Sequence, residues 1–308
     1  MAAIETHNLT KVYGQNVRAV DGLDLTVEEG EVFGFLGPNG AGKSTTINML
    51  LDFVRPTSGT ATVLGHDAQA ESTQIRKRIG VLPEGYELYP RLPGRAHIEM
   101  AIELKDATDD PDDIIDRVGL DPEDAKRKAG DYSQGMRQRL ALGMAIAGDP
   151  ELLILDEPTN GLDPNGAREM RNIVLDHAER GATVFFSSHI LEQVQAVCDR
   201  VGILASGQLV TVDTIDGLRE ETGTGSTMTL TVDTVPQLNL SDIAGISDAR
   251  TEPNTVEVTV SDPGAKITVI DRVRDAGATV QDIKTTEASL EALFAAYTGD
   301  GERTEVTS

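Results

Sequence analysis

The sequence has no tryptophan, one cysteine and few rings of any kind: aromatic residues make up 4% of its 308 positions. A core without large rings has to rest on Val, Ile, Leu and Ala. The lone Cys198 cannot close an internal disulfide, which fits a reducing compartment, and its ordinary role is that of a small buried apolar side chain. No stretch approaches the roughly 18 consecutive apolar residues that a membrane span needs. Nor does MAAIETHNLT, residues 1–10, show the charged-then-apolar pattern of an export signal. These absences predict a soluble, cytoplasmic chain. Positive charge is scarce as well: 27 Lys plus Arg stand against 51 Asp plus Glu, a net charge of -24, and only 8 of those cations are lysines. That balance argues against a nucleic-acid-binding surface, which would be basic, so no nucleic-acid partner is expected. Acid-rich, lysine-poor composition resembles that of proteins from salt-loving microbes, where molar salt shortens the Debye length to about 3 Å and screens self-repulsion.

What is present has a clear order. The chain is long enough for one large α/β domain and a small second one, because single cores seldom grow beyond roughly 250 residues. Residues 2–36 alternate apolar and polar positions, broken by Gly14-Gln15, Asp21-Gly22 and Glu29-Gly30, which reads as antiparallel strands and turns. EVFGFLG at 31–37 is a short buried strand, and KSTTINMLLDF at 43–53 spaces its apolar residues as a helix does. Strands are expected again at ATVLG (61–65), RIGVLPE (78–84), ELLILDEP (151–158) and TVFFSSH (183–189), with helices between most of them. Such alternation predicts a largely parallel, helix-covered sheet. Residues 86–147 show helical periodicity and no strand signal, which predicts a helical insertion. RVGILASGQLVTVD at 200–213 reads as a hairpin turning at Ser206-Gly207, and a helix near 216–221 closes a first domain over 1–222. Beyond a linker at GTGS, 223–226, the runs TMTLTVD, TVEVTVSD and ATVQDIK, with helices over 265–276 and 288–297, predict a small α+β domain over 226–298. Residues 299–308 read as a disordered tail.

Two motifs carry chemistry. GPNGAGKST at 37–45 fits G-x-x-x-x-G-K-[ST] at every position and lies between a predicted strand and a predicted helix, the context of a phosphate loop. Its residues Gly37, Pro38, Asn39, Gly40, Ala41, Gly42, Lys43, Ser44 and Thr45 would wrap a nucleotide's phosphates. The glycines let backbone N–H groups face the β-phosphate, Lys43 reaches the β/γ oxygens, and Ser44 is a ligand for Mg²⁺. ELLILDEP is an apolar strand ending in two carboxylates: Asp156 would hold Mg²⁺ through water, and Glu157 would polarise the attacking water. A second anion site is suggested by YSQGMRQRLALGMAIAGDP at 132–150, where a serine and a glycine open a helix whose first N–H groups are free.

With these motifs in place, residues 1–222 resemble an ATP-binding cassette (ABC) ATPase. The fold this implies is α/β: a P-loop NTPase cassette with a mixed sheet, an antiparallel N-terminal β subdomain and a helical insertion, plus the small α+β domain. YSQGM at 132–136 is similar to the family's LSGGQ signature, which closes on the γ-phosphate held by another subunit's phosphate loop in a head-to-tail dimer, homomeric or heteromeric. The resemblance implies that Ser133 donates its hydroxyl and Gly135 its N–H to the neighbour's ATP. It further implies that Tyr13 stacks on adenine, that Asp163 in NGLDP contacts the opposite subunit, and that His189 is the switch histidine on the γ-phosphate. His7, His66, His97 and His177 match no family position and read as solvated or structural.

Glu84 stands where most cassettes have glutamine. It would still serve Mg²⁺ or its water, but it adds a third negative group near Asp156 and Glu157. Glutamate here, and the ending ASLEALFAAYTG at 288–299, are similar to the subfamily that pairs with ABC-2-type membrane proteins, including daunorubicin-resistance and sodium-efflux exporters. The resemblance therefore implies an ATP- and Mg²⁺-dependent subunit, peripheral on the inner face of the cell membrane, that powers export through a separate integral membrane permease. The competing class is a soluble cassette ATPase acting on ribosomes, DNA or assembly factors. Such proteins usually carry two cassettes or an inserted coiled coil, and this chain shows one cassette and no long heptad run.

Overall fold

The computed structural model describes residues 1–286 apart from 15, 222–225, 235–237, 241, 261 and 263. Of the expected linker at 223–226, residues 223–225 lie outside the described residues and Ser226 opens a strand; the closing helix over 288–297 and the tail at 299–308 also lie outside. Contacts divide the chain into two compact units, Met1–Val212 and Asp213–Ser308. The division falls ahead of the helix Ile215–Glu221, whereas the sequence pattern places the boundary after it.

The first unit holds two sheets. A four-stranded one has the order Val17–Glu28, Ala2–Tyr13, Ser58–Val63, His66–Asp67, with antiparallel neighbours. The other has six strands in the order Gln208–Thr214, Arg200–Ala205, Val32–Leu36, Thr183–Ser188, Leu152–Asp156, Ile79–Leu82. All but the first of these run parallel. Val32–Leu36, Leu152–Asp156 and Thr183–Ser188 are buried along their whole length, as strands covered on both faces must be. Few rings suffice for the core because they are concentrated: Phe33 stacks on Phe185 at 5.9 Å and Phe35 meets the same ring at 5.2 Å. Ile4, Leu23 and Leu25 of the antiparallel sheet join this cluster, as do Ile47 and Leu50 of the helix Lys43–Leu50.

The hairpin of Arg200–Ala205 and Gln208–Thr214 turns at Ser206 and Gly207, whose φ of 50° and 83° are those of a two-residue turn matched to strand twist. Residues 86–93 are irregular, and from Gly94 onward the stretch is helical, with Gly94–Leu104, Pro111–Arg117, Pro122–Ala125 and Gln134–Ile146. Two of these helices start on an Asp-Pro step: Asp110 and Asp121 accept from the N–H two residues on, and the proline fills the first helical position, where no N–H is needed. The signature helix is packed closely here, since a Cβ on Gly143 would lie 2.9 Å from Ile98 Cδ1.

The second unit contains a four-stranded antiparallel sheet in the order Ile246–Glu252, Thr255–Val260, Ser226–Val232, Val280–Thr286, with the helix Ala265–Asp275. Met228, Leu230, Val256 and Val258 alternate into a core with Val269 and Val273 of that helix. Ile246–Glu252 is absent from the sequence reading. ISDARTE has one large apolar residue and two exposed carboxylates, so nothing in its pattern marks a strand; pairing with Thr255–Val260 makes it one.

Among the described residues, Asp156 and Glu157 are the only buried acidic side chains. The other described acidic side chains therefore reach solvent, where salt acts on them. We expect the unfolding midpoint, followed by circular dichroism, to rise by several degrees when KCl is raised from about 0.1 M to about 1 M, as the Debye length falls from ~10 to ~3 Å. A flat or falling midpoint would show that surface ion pairs outweigh the net repulsion.

Candidate functional site

The five parallel strands share one direction, so their C-terminal ends bring separate motifs to one edge. Val32–Leu36 runs into Gly37, Ile79–Leu82 leads to Glu84, Leu152–Asp156 to Glu157, and Thr183–Ser188 to His189. Gly42 is the turning point of the phosphate loop. Its φ is 112°, and a Cβ there would lie 2.3 Å from the Ala19 carbonyl oxygen, so both conformation and space require glycine. Gly42 also supplies no side-chain cap to the helix Lys43–Leu50, which leaves the first N–H groups of that helix for an anion.

Lys43 is buried. Its Nζ donates to the Gly37 carbonyl at 2.7 Å and the Pro38 carbonyl at 3.4 Å, and lies 3.3 Å from Glu157 Oε1. Both partners of that ion pair are about as buried, at 6% and 5% exposure, so little water screens it. The contact is one of charge rather than hydrogen-bond geometry, since Oε1 has no hydrogen-bond partner. The other carboxylate oxygen, Oε2, is 2.9 Å from His189 Nδ1. Glu157 therefore lies between a lysine and a histidine, with one oxygen lacking a donor. Its backbone is left-handed, φ 50°, a conformation that costs a non-glycine residue on the order of 1 kcal/mol or more. Ser187 holds it there: the Glu157 N–H donates to both the carbonyl and the hydroxyl of Ser187 at 3.2 Å, and that hydroxyl donates to Asp156 Oδ1 at 2.5 Å. Sequence reasoning missed Ser187, whose only signal is its place two residues before His189.

A cleft of about 330 Å³ opens over the loop, lined by Ala19, Asn39, Gly40, Gly42, Lys43, Ser44, Thr45, Glu84 and Glu157. A second cavity, of about 290 Å³, shares Glu84 and Glu157 with it and adds Asp156, Tyr86, Gln134, Gln138 and Asn160. Ser44, Glu84 and Asp156 offer only hard oxygen donors, and among the described residues no group of three or more His, Cys, Asp or Glu side chains converges to hold an ion. That donor set fits Mg²⁺ that arrives with phosphate oxygens and keeps waters, rather than an ion caged by protein alone.

Tyr13, Ser133, Gly135 and Asp163 do not line the phosphate cleft of their own chain. Tyr13 is 41% exposed at the end of its strand, with Lys11 Nζ 5.1 Å above its ring. Ser133 caps the helix Gln134–Ile146, its Oγ accepting from Met136 N–H at 3.2 Å. A Cβ on Gly135 would meet nothing within 4 Å, so its backbone is open to a visitor. Asp163 caps Pro164–Glu179 by accepting from Gly166 N–H at 2.7 Å. Tyr132, a departure from the signature pattern, is a packing residue: it is 4% exposed and donates to the Asp124 carbonyl at 2.7 Å. His97 and His177 are buried and structural, His97 accepting from Tyr89 N–H and bonding the Pro93 carbonyl.

Comparison with known proteins agrees with this geometry. A family model described as "ABC transporter" matches residues 20–160. The chain is 42% identical over 223 residues to the bacitracin transport ATP-binding protein BcrA of Bacillus licheniformis, a match covering 70% of this chain and 71% of that one. It is 35% identical over 308 residues to the daunorubicin/doxorubicin resistance ATP-binding protein DrrA of Streptomyces peucetius, covering 96% and 92%. Among solved structures it is similar to an ATP-binding subunit of an ABC transporter, with TM-score 0.65, 26% identity, and coverage of 72% of this chain and 93% of that chain. It shares its fold with a dimeric ATP-binding cassette in a post-hydrolysis state bound to ADP and Pi, at TM-score 0.64, 24% identity, and coverage of 69% and 98%.

Glu157 Oε1 lies 3.3 Å from Lys43 Nζ, so neutralising it in Glu157→Gln is expected to free the lysine and tighten nucleoside triphosphate binding by about tenfold, or ~1.4 kcal/mol. Fluorescent-nucleotide titration without Mg²⁺, where turnover is absent, checks this. Equal or weaker binding would show that the ion pair does not oppose entry.

Proposed function

The chain belongs to the ABC transporter family, and from that membership we propose that it is the ATP-hydrolysing subunit that powers export through a separate membrane permease. The observation that carries the catalytic part is the buried Lys43–Glu157 pair, with the half-buried His189 on the second Glu157 oxygen, beside a loop whose glycines leave N–H groups free. Lys43, the loop N–H groups and the helix start neutralise and position the phosphates, which is most of what phosphoryl transfer asks of a protein. Glu157 orients and deprotonates the attacking water, with His189 holding its second oxygen. Ser44, with Asp156 and Glu84 directly or through water, would hold Mg²⁺, which would supply charge neutralisation at the phosphates.

Two copies sandwich two ATP, each held by one chain's loop and the other chain's Ser133 and Gly135. Three features support this arrangement: Gly135 faces open space, Ser133 is exposed, and neither lines its own chain's cleft. Asp163 would face the partner and Tyr13 the adenine. Export is the direction that the relative named for daunorubicin/doxorubicin resistance suggests. Among the described residues no helix is long and apolar enough to cross a membrane, so we assign the path to another chain and place this one against the membrane through it. The domain limits we favour are a cassette followed by the small α+β domain, with the helical part near 86–147.

Glu157→Gln is expected to lower the ATP turnover rate by about 10²-fold or more, as loss of a general base does, and to accumulate ATP-bound dimers in size-exclusion chromatography. Full turnover in that variant would remove Glu157 from the base role. Ser133→Ala combined with Gly135→Asp should leave ATP binding to the monomer intact and abolish dimers; ATP-driven dimers that persist would sink the shared-site arrangement. Affinity capture of the Glu157→Gln chain from membranes solubilised with ATP, Mg²⁺ and high salt should bring down a multi-span membrane protein in stoichiometric amount. Ribosomal or other soluble partners alone would favour a cassette ATPase without a permease.

A further inference from the structure

Glu157 is held in its left-handed conformation from the N-terminal side by Ser187, and the structure shows what holds the other side. Pro158 follows it, and a proline has no N–H with which to anchor the turn, so its carbonyl is the group left to grip. Gln138 grips it: the Nε2 of this buried side chain donates to the Pro158 carbonyl at 2.6 Å. The other end of the same amide is used as well, its Oε1 accepting from the Tyr86 hydroxyl at 2.7 Å. Tyr86 lies two residues beyond Glu84. Four residues earlier on the same helix, and therefore on the same face, Gln134 Nε2 approaches the Asn160 carbonyl at 3.5 Å. One helix, the one that Ser133 caps, is thus bonded both to the turn carrying Glu157 and to the segment carrying Glu84. Gln138, Gln134, Tyr86, Asn160, Glu84 and Glu157 all line the second cavity, which Lys43 does not.

We propose that Gln138 is a positioning residue for Glu157, and that Tyr86 sets its orientation, so that the signature helix, the Glu84 segment and the Glu157 turn move as one hydrogen-bonded unit. The amide works because it is both donor and acceptor: the hydroxyl of Tyr86 fixes which end faces Pro158. Neither side chain lines the phosphate cleft, so neither is expected to alter nucleotide binding.

The inference rests on the ATPase reading and is tested by steady-state ATP hydrolysis with Gln138→Met, Tyr86→Phe and the double variant, each checked for folding by its thermal midpoint. Gln138→Met should lower kcat by roughly tenfold while KM for ATP stays within about twofold, the pattern of an interaction felt at the reacting centre and not in binding. Tyr86→Phe should cost less, about threefold, and the double variant should match Gln138→Met alone, because both act through one amide. If Gln138→Met does not fold, the Tyr86→Phe split between kcat and KM carries the test by itself. Unchanged kcat in the folded variants, proportional changes in kcat and KM, or additive losses would each overturn the proposal while leaving the ATPase reading intact. An unaltered chain that does not hydrolyse ATP would overturn both.

Discussion

Glu157 is a carboxylate buried beside the protein's one buried lysine among the described residues, and much of the surrounding structure exists to keep it there. A charge at 5% exposure is tolerated only when it is paired and the pair is itself held. Lys43 is held by two carbonyls of the phosphate loop, and Glu157 by His189, with its backbone fixed on one side by Ser187 and on the other by the Gln138 grip on Pro158. The orphaned Oε1 is the exception that gives the site its use. That buried acceptor takes no hydrogen bond from the chain itself, so it is the oxygen available to a donor from outside.

The parallel sheet makes such a pairing feasible. Its strands all end at one edge, so residues far apart in sequence arrive within contact distance without any loop having to be long. Gly37, Glu157 and His189 follow the ends of three adjacent buried strands, and Glu84 follows a fourth. Rigidity comes from the Phe33, Phe35 and Phe185 packing beneath them. The helical insertion contributes something different. Its signature helix is anchored near its start to the Glu157 turn through Gln134 and Gln138, while its capping residue Ser133 stays at the surface. A partner chain that touched Ser133 would therefore touch a helix already bonded to the Glu157 turn.

Charge is distributed in keeping with this. Among the described residues no acidic side chain other than Asp156 and Glu157 is buried, and the site concentrates its cation where the phosphates would lie. Glu84, Asp156 and Glu157 border shared cavities, so an ion bringing positive charge is favoured by the same arrangement that would repel a free anion.

The phosphate loop, the acidic strand end and the capped signature helix were legible in the sequence because each is governed by local backbone chemistry. Glycines permit positive φ, a proline after a carboxylate ends a strand, and a serine caps a helix, wherever in a fold they occur. The alternation of buried strands and helices made the parallel sheet legible for the same reason. The strand Ile246–Glu252 was not, since its residues lack alternation and only pairing with Thr255–Val260 holds them extended. Nor could the sequence show that Lys43 faces Glu157, that Ser187 spans Asp156 and Glu157, or that Gln138 joins Tyr86 to Pro158. Those contacts join residues from separate elements, and which atoms meet depends on strand order and helix packing. By itself the sequence determined which local devices this protein owns; only the tertiary structure decided which of them touch, because long-range contact is set by how buried surfaces fit together.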